Sequence, residues 1–159
     1  MATFKFEGLE EYISQMQKMV GITGRMIEDA VDEGAGLVAD EVRKAIDTLP
    51  VDDRYYATER KGLKRAQVIG LYSSFGVAPI RNDNGFINRK LGFDGYNNLK
   101  SKKWPKGQPN SMVARSINSG TSFLPKTGFM DKATKAVRAE CERAMRDSID
   151  KSISKEIKN

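Results

Sequence analysis

The sequence contains no histidine and only one cysteine in 159 residues. Zinc sites built on histidine or paired cysteines, catalytic triads with a histidine base, and disulfide bonds within the chain are therefore excluded. No apolar stretch reaches the roughly 18 residues that a membrane-spanning helix requires. The opening Met1–Lys5 also lacks the basic-then-apolar plan of a signal peptide. We therefore expect a protein that is made and used, or assembled, inside a cell.

The composition is that of a folded domain with an uneven charge distribution. Apolar residues make up 39% of the chain and charged residues 30%, and the length suits a single domain over residues 1–159. Residues 1–53 carry 5 basic and 12 acidic side chains, whereas residues 54–115 carry 13 basic and 3 acidic ones. This polarity favours head-to-tail docking between copies of the chain, or contact of the middle segment with a polyanion. Solubility alone is the third interpretation.

Apolar side chains at helical spacing predict long amphipathic helices near both ends of the chain. A short first helix is expected over residues 9–20, with an interruption at the glycines of 21–24. A second helix is expected over about 25–48, because Pro50 ends the periodic pattern. The last helix is expected to fill nearly the whole C-terminus, with its apolar face running from Phe129 to Ile157.

Short strands are predicted between these helices and at the start of the chain. Alternation predicts a strand at Thr3–Phe6, and aromatic and β-branched residues predict strands over 67–80 and 112–118. The run Asn82–Gly85 predicts a turn that reverses the chain into a hairpin partner over 86–93. The fold class expected is α+β, a small mostly antiparallel β-sheet with long amphipathic helices packed on one face.

Residues 94–111, named here the basic loop, are long for a connection in a small domain. The loop contains the only tryptophan of the chain, surrounded by lysines. A tryptophan among lysines is typical of an interface anchor, and an ordinary mobile loop is the alternative. The candidate partner-interface residues are Lys100, Lys102, Lys103, Trp104 and Lys106.

No group of residues with a catalytic pattern stands out. The adjacent acids Asp52 and Asp53, or Glu10 and Glu11, could bind a divalent cation or act as acid and base, but adjacent acids in a loop are more often solvated. Cys141 falls on the apolar face of the last helix, where a small buried hydrophobe is expected. We therefore expect no enzyme activity, no cofactor and no metal site.

The segment Gly120-Thr121-Ser122 is followed by Pro125, Phe129-Met130 and Ala133 at the start of the last helix. Together with the order of the predicted elements and the opening Phe6–Glu10, this segment resembles the tail-completion, or head-tail joining, proteins of long-tailed bacteriophages. The resemblance covers nearly the whole chain, and the basic loop lies outside it. The chain departs from the family pattern at Asn118 and Ser119, where an acid and an aromatic residue commonly stand.

The resemblance implies a structural virion protein of the phage neck, made in the host cytoplasm during assembly. It would form a ring, expected to be a hexamer, between the head-closure or connector protein and the tail-tube protein, with DNA passing through the middle and no membrane contact. Cyclic rings use heterologous contacts, which complementary acidic and basic sides could supply. The alternative is a small basic nucleic-acid-binding protein whose affinity falls with salt and with neutralisation of Lys102, Lys103 and Arg65 together.

Overall fold

The computed structural model describes residues 9–54 and 62–157, and the side chains of residues 21–54 and 62–156. The strand predicted at Thr3–Phe6 lies outside the described residues. The elements follow in the order α1 (Leu9–Asp47), α2 (Arg65–Ser74), β1 (Phe75–Val77), β2 (Arg81–Asp83), β3 (Phe86–Asn88), β4 (Leu91–Phe93), α3 (Asn110–Ser119) and α4 (Phe129–Ile157). Long helices combined with small antiparallel sheets confirm the predicted α+β class.

The two long helices, α1 and α4, pack against each other in opposite directions. Leu49, just beyond the end of α1, lies near Phe129 at the start of α4, and Gly34 in the middle of α1 lies against Cys141 and Met145 farther along α4. A Cβ atom at Gly34 would come within 2.9 Å of the Met145 side chain. The absence of a side chain at this position therefore allows the helices to approach closely.

The predicted break at residues 21–24 is wrong, because α1 runs without interruption from Leu9 to Asp47. Gly21 and Gly24 have no neighbouring atoms within 4 Å of where a Cβ would stand. A glycine in a helix costs about 1 kcal/mol relative to alanine and does not remove a hydrogen-bond donor. Two such costs are too small to end a helix of 39 residues that packs along a partner.

The turn predicted at Asn82–Gly85 is confirmed, and it closes an interrupted hairpin. Strand β2 pairs with β3 next to the turn, and β1 pairs with β4 farther from it, both antiparallel. Val77 pairs with Leu91 and Arg81 pairs with Asn88. Three residues, 78–80, therefore lie between the two ladders on the first strand, against two, 89–90, on the second. Pro79 falls in this gap, as expected for a residue that cannot donate to a ladder.

Two segments predicted as strands are helical instead. Residues 110–119 form α3, because Val113, Ala114 and Ile117 are buried at helical spacing. Residues 110 and 111, predicted as the end of the basic loop, therefore belong to this helix. Most of the strand predicted over 67–80 is α2, and only Phe75–Val77 is extended. The aromatic and β-branched residues there pointed to a strand, but tertiary contacts outweigh such local preferences.

One hydrophobic core joins the C-terminal half of α1 to the other elements. The Phe93 ring of β4 lies 5.1 Å from that of Phe75 and 6.4 Å from that of Phe129, centroid to centroid, so the hairpin base packs onto the start of α4. The most buried large side chains of the core are Val42, Ile46, Leu63, Leu71 and Ile117. Within the described ranges, no helix has the length and apolar content needed to cross a bilayer.

We expect Gly34→Leu to destabilise the protein by about 1–3 kcal/mol, because the new side chain would overfill the α1–α4 contact. The matched control is Gly36→Leu on the same helix, where no atom lies within 4 Å of a new Cβ. This control should stabilise the protein by about 0.5–1 kcal/mol through helix propensity. Urea unfolding measures both changes, and equal effects would contradict the proposed helix contact.

Candidate partner interface

The base of the basic loop is closed by Asn97, which is 3% exposed. Its backbone N–H donates to the carbonyl of Gln108 at 2.9 Å. Its side-chain Oδ1 accepts from the backbone N–H groups of Leu99 and Gln108, at 3.0 and 3.1 Å. A bridge between Tyr96 and Pro109 adds a further backbone pairing just outside it. One buried amide therefore ties together the two ends of the loop.

The tip of the loop is also hydrogen-bonded to itself. The backbone N–H groups of Ser101 and Trp104 each donate to the other residue's carbonyl at 3.0 Å, and the Gly107 N–H donates to the Trp104 carbonyl at 3.0 Å. Gly107 has a φ of +101°, and a Cβ at this position would overlap the carbonyl oxygen of Asn97. The closed conformation therefore requires glycine at residue 107.

Helices α2 and α3 hold the loop from beneath. The Gln67 side chain of α2 donates from Nε2 to the Gln108 side-chain oxygen at 2.8 Å. A Cβ at Gly70 of α2 would come within 2.9 Å of Asn97 and 2.8 Å of the Asn110 side chain. The Asn110 amide nitrogen in turn donates to the Asp94 carbonyl at 3.0 Å. Glycine at residue 70 thus lets the loop rest directly on the helix.

The candidate interface residues lie on this closed loop. Lys100, Lys102, Lys103 and Lys106 are exposed, whereas Trp104 is half-buried. The Lys103 ammonium lies 5.7 Å from the centroid of the Trp104 ring, within the range of a cation–π contact. Within residues 9–54 and 62–157, none of the four lysines forms an ion pair.

Elsewhere, part of the charge asymmetry is neutralised within the chain. Asp32 of the acidic first third forms an ion pair with Arg89 of the basic middle segment. Asp53 accepts from the backbone N–H of Arg65 at 2.8 Å and pairs with its guanidinium at 3.4 Å. The Asp53 carboxylate therefore caps the start of α2, where the helix leaves N–H groups unpaired.

The acids considered as a cation or acid–base site have other roles or lie outside the described side chains. Asp52 forms an ion pair with Arg54, and its Oδ1 accepts from the Arg54 Nε at 2.8 Å. The side chains of Glu10 and Glu11 are not among those described. No group of three histidine, cysteine, aspartate or glutamate side chains capable of holding a metal ion occurs in the described part of the chain.

Cys141 lies on the α4 surface that faces α1, with its Sγ 3.5 Å from the Gly34 carbonyl oxygen and 3.9 Å from the Met145 sulfur. Burial raises the pKa of the Cys141 thiol, and the neighbouring Glu142 charge raises it further. A thiol with a raised pKa is a poor nucleophile at neutral pH. The packing role predicted for this residue is consistent with both observations, although the side chain is half-buried and not fully buried.

The connection between α3 and α4 is a second segment held by internal hydrogen bonds. It contains Gly120, Thr121 and Ser122, which are part of the phage resemblance. Gly120 has a φ of +79°, and a Cβ there would come within 2.9 Å of the Lys126 backbone nitrogen. The Thr121 hydroxyl accepts from the backbone N–H groups of Phe123 and Leu124, at 3.3 and 3.1 Å. This turn holds the Phe123 side chain 79% exposed.

The second half of this connection is tied back to α3. Thr127 donates from both its backbone N–H and its hydroxyl to the Ile117 carbonyl, at 3.1 and 2.9 Å. The Asn118 side chain accepts from the Met130 backbone N–H at 3.0 Å, and its amide donates to Asp131 at 3.1 Å. Asn118, a departure from the family pattern, therefore caps the start of α4.

Comparison with protein-family models, with curated proteins and with solved structures finds no match to this chain.

The composition of the basic loop points to its lysines and its tryptophan, but not to the residues that hold them in place. Asn97, Gly107 and Gln108 close the loop, and none was singled out. A signal was present, because both ends of the loop carry residues that favour turns, Gly95 with Asn97 and Gly107 with Pro109. Their pairing with each other depends on contacts across the loop that no local pattern encodes.

We expect Gly107→Ala to destabilise the protein by about 1–3 kcal/mol, because the left-handed backbone is strained for alanine and the new Cβ overlaps Asn97. Gly92→Ala is the matched control, since nothing lies within 4 Å of a Cβ there, and its effect should stay below about 1 kcal/mol. Denaturant unfolding gives both values. Equal stability of the two variants would contradict the closed loop.

Proposed function

We propose that this protein is a structural component of a virion, joining the head connector to the tail tube of a long-tailed bacteriophage. In this role it forms a ring, expected to be a hexamer, around the channel through which DNA passes. Its partners are further copies of itself, the head-closure or connector protein and the tail-tube protein. Its location is the neck of the particle, and the host cytoplasm during assembly.

The observation that carries the proposal is the connection between α3 and α4. The residues that resemble the phage family are those that form this turn, because Gly120 provides its left-handed backbone and Thr121 bonds its N–H groups. Phe129 and Ala133 then enter the core from α4. These residues therefore have defined structural roles in the turn, as a fold shared with that family would require.

Contacts between subunits need surfaces that a single chain leaves unsatisfied. The ion pairs Asp32–Arg89 and Asp53–Arg65 neutralise part of the acidic and basic segments within one chain. Charge complementarity between neighbours is therefore weaker than the sequence alone suggests. Exposed large apolar side chains supply additional surface, among them Phe123, whose backbone N–H is bonded to the Thr121 hydroxyl.

The alternative, a small nucleic-acid-binding protein, is favoured by one observation, the unpaired lysines of the basic loop. A ring and a nucleic-acid contact are compatible, since the ring contact is proposed at the turn of Phe123 and the nucleic-acid contact at the basic loop.

Particles assembled without this protein test the proposed function. We expect filled heads and finished tails to accumulate separately in electron micrographs, because the joint between them would be missing. Supplying the wild-type protein to purified heads and tails should restore joined particles. Joined particles formed in its complete absence would contradict the proposed function.

Complementation with Phe123→Ser tests the subunit contact. We expect joining to fall at least tenfold, while the free energy of unfolding changes by less than about 0.5 kcal/mol because the side chain is solvated. Ser122→Ala, one residue earlier in the same turn and also exposed, is the control and should restore joining fully. If Phe123→Ser restores joining fully, Phe123 is not part of the subunit interface.

A further inference from the structure

The lysines of the basic loop keep their charges unpaired in the folded chain. Four lysines and no acidic residue lie between Asn97 and Gln108. All four are exposed, and no carboxylate of the described residues pairs with them. By contrast, Arg65 and Arg89 of the same basic middle segment each have a carboxylate partner. The loop is therefore a local concentration of four uncompensated charges.

We propose that the basic loop is a sequence-independent binding site for the phosphate backbone of a nucleic-acid duplex. This inference goes beyond the proposed role as a ring component and does not depend on it. The two can fail separately, since the ring contact is assigned to the turn at Phe123 and the duplex contact to the loop.

The density of charge on the loop favours a phosphate backbone over an acidic protein surface. The four lysines lie within residues 100–106 of a closed loop, so their backbone positions are close together. A DNA duplex carries one negative charge per roughly 1.7 Å of its axis, which allows several lysines to find phosphates at once. Acids on protein surfaces are sparser and are often paired, as Asp32 and Asp53 of this chain are.

The loop is arranged for contact with the backbone and not for reading or stacking bases. The Asn97 side chain is buried, and the side-chain oxygens of Asn97 and Gln108 accept hydrogen bonds within the protein, so these two oxygens are not available as acceptors for base edges. Trp104 is half-buried, and Lys103 lies over its ring, which leaves less open ring surface for a base. Single-strand binding relies on such stacking. We therefore expect a duplex to bind at least as tightly as a single strand.

The closed conformation also lowers the cost of binding. The hydrogen bonds of Asn97 and the turn at Ser101–Trp104 fix the loop backbone before any ligand arrives. Binding then has to order only lysine side chains, whose flexible stems adapt to phosphates without fixed geometry. A loop with a fixed backbone and flexible lysine side chains suits a nucleic-acid duplex, because the phosphates of a duplex recur at regular intervals whatever its base sequence.

The test measures binding of the full chain to fluorescent 30-base-pair DNA and RNA duplexes of mixed sequence and to a 30-nucleotide single strand. Fluorescence anisotropy is followed between 50 and 300 mM NaCl. The quadruple variant Lys100→Ala, Lys102→Ala, Lys103→Ala and Lys106→Ala should reduce the slope of log K against log salt by about 3 to 4, at 0.9 per lost phosphate contact on a DNA duplex. Trp104 emission should change as duplex saturates the wild-type chain.

The matched control removes the same number of charges from α4, where Lys132, Lys135, Lys151 and Lys155 are all exposed. This control should retain most of the wild-type slope, and circular dichroism should show both variants to be folded. An equal loss in the two variants would assign binding to net charge and overturn the proposal. So would absence of duplex binding at 50 mM NaCl, a clear preference for the single strand, or tighter binding to polyglutamate than to duplex. The DNA and RNA arms identify which duplex is preferred.

Discussion

The antiparallel packing of α1 against α4 is the contact on which the rest of the structure depends. Gly34 brings the two helices together at Cys141 and Met145, and the C-terminal half of α1 then supplies the largest part of the core. Small sheets of two strands each are marginal alone. The hairpin here is stabilised because Phe93 packs against Phe75 and against Phe129 at the start of α4. The long helices therefore form a frame on which the shorter elements are ordered.

This frame explains how a long connection without regular secondary structure can have a fixed shape. Helices α2 and α3 rest on the frame, and the basic loop rests on them through Gly70, Gln67 and Asn110. Asn97 and Gly107 then close the loop on itself. The charges on the loop are thus held in place by uncharged groups, and the lysines remain available for a ligand. Asp52 and Asp53, which directly precede the basic middle segment, are meanwhile paired with Arg54 and Arg65.

Hydrophobic periodicity over long stretches is the sequence feature that predicts secondary structure reliably in this chain. The helices at both ends and the turn at Asn82–Gly85 were predicted because their patterns are local and repeated. The strand predicted over 112–118 is wrong because a segment of about ten residues is too short to distinguish the helical period from the strand period. The burial of Val113, Ala114 and Ile117, which depends on the folded structure, makes the segment helical. The lysines and Trp104 could be selected from composition. The closure of the loop by Asn97 and Gly107 could not be predicted from composition. It joins residues about ten positions apart through a backbone carbonyl and a side-chain amide.

The central claim is that the helical frame holds an uncompensated basic loop in one conformation before any partner binds. Backbone ¹⁵N relaxation of the free protein tests this most directly, at the amides of residues 97–108. We predict order parameters near 0.85, as in α3 and α4, because the loop N–H groups of Asn97, Trp104 and Gly107 are hydrogen-bonded. Values below about 0.6 along this stretch would identify a flexible tether and contradict the claim.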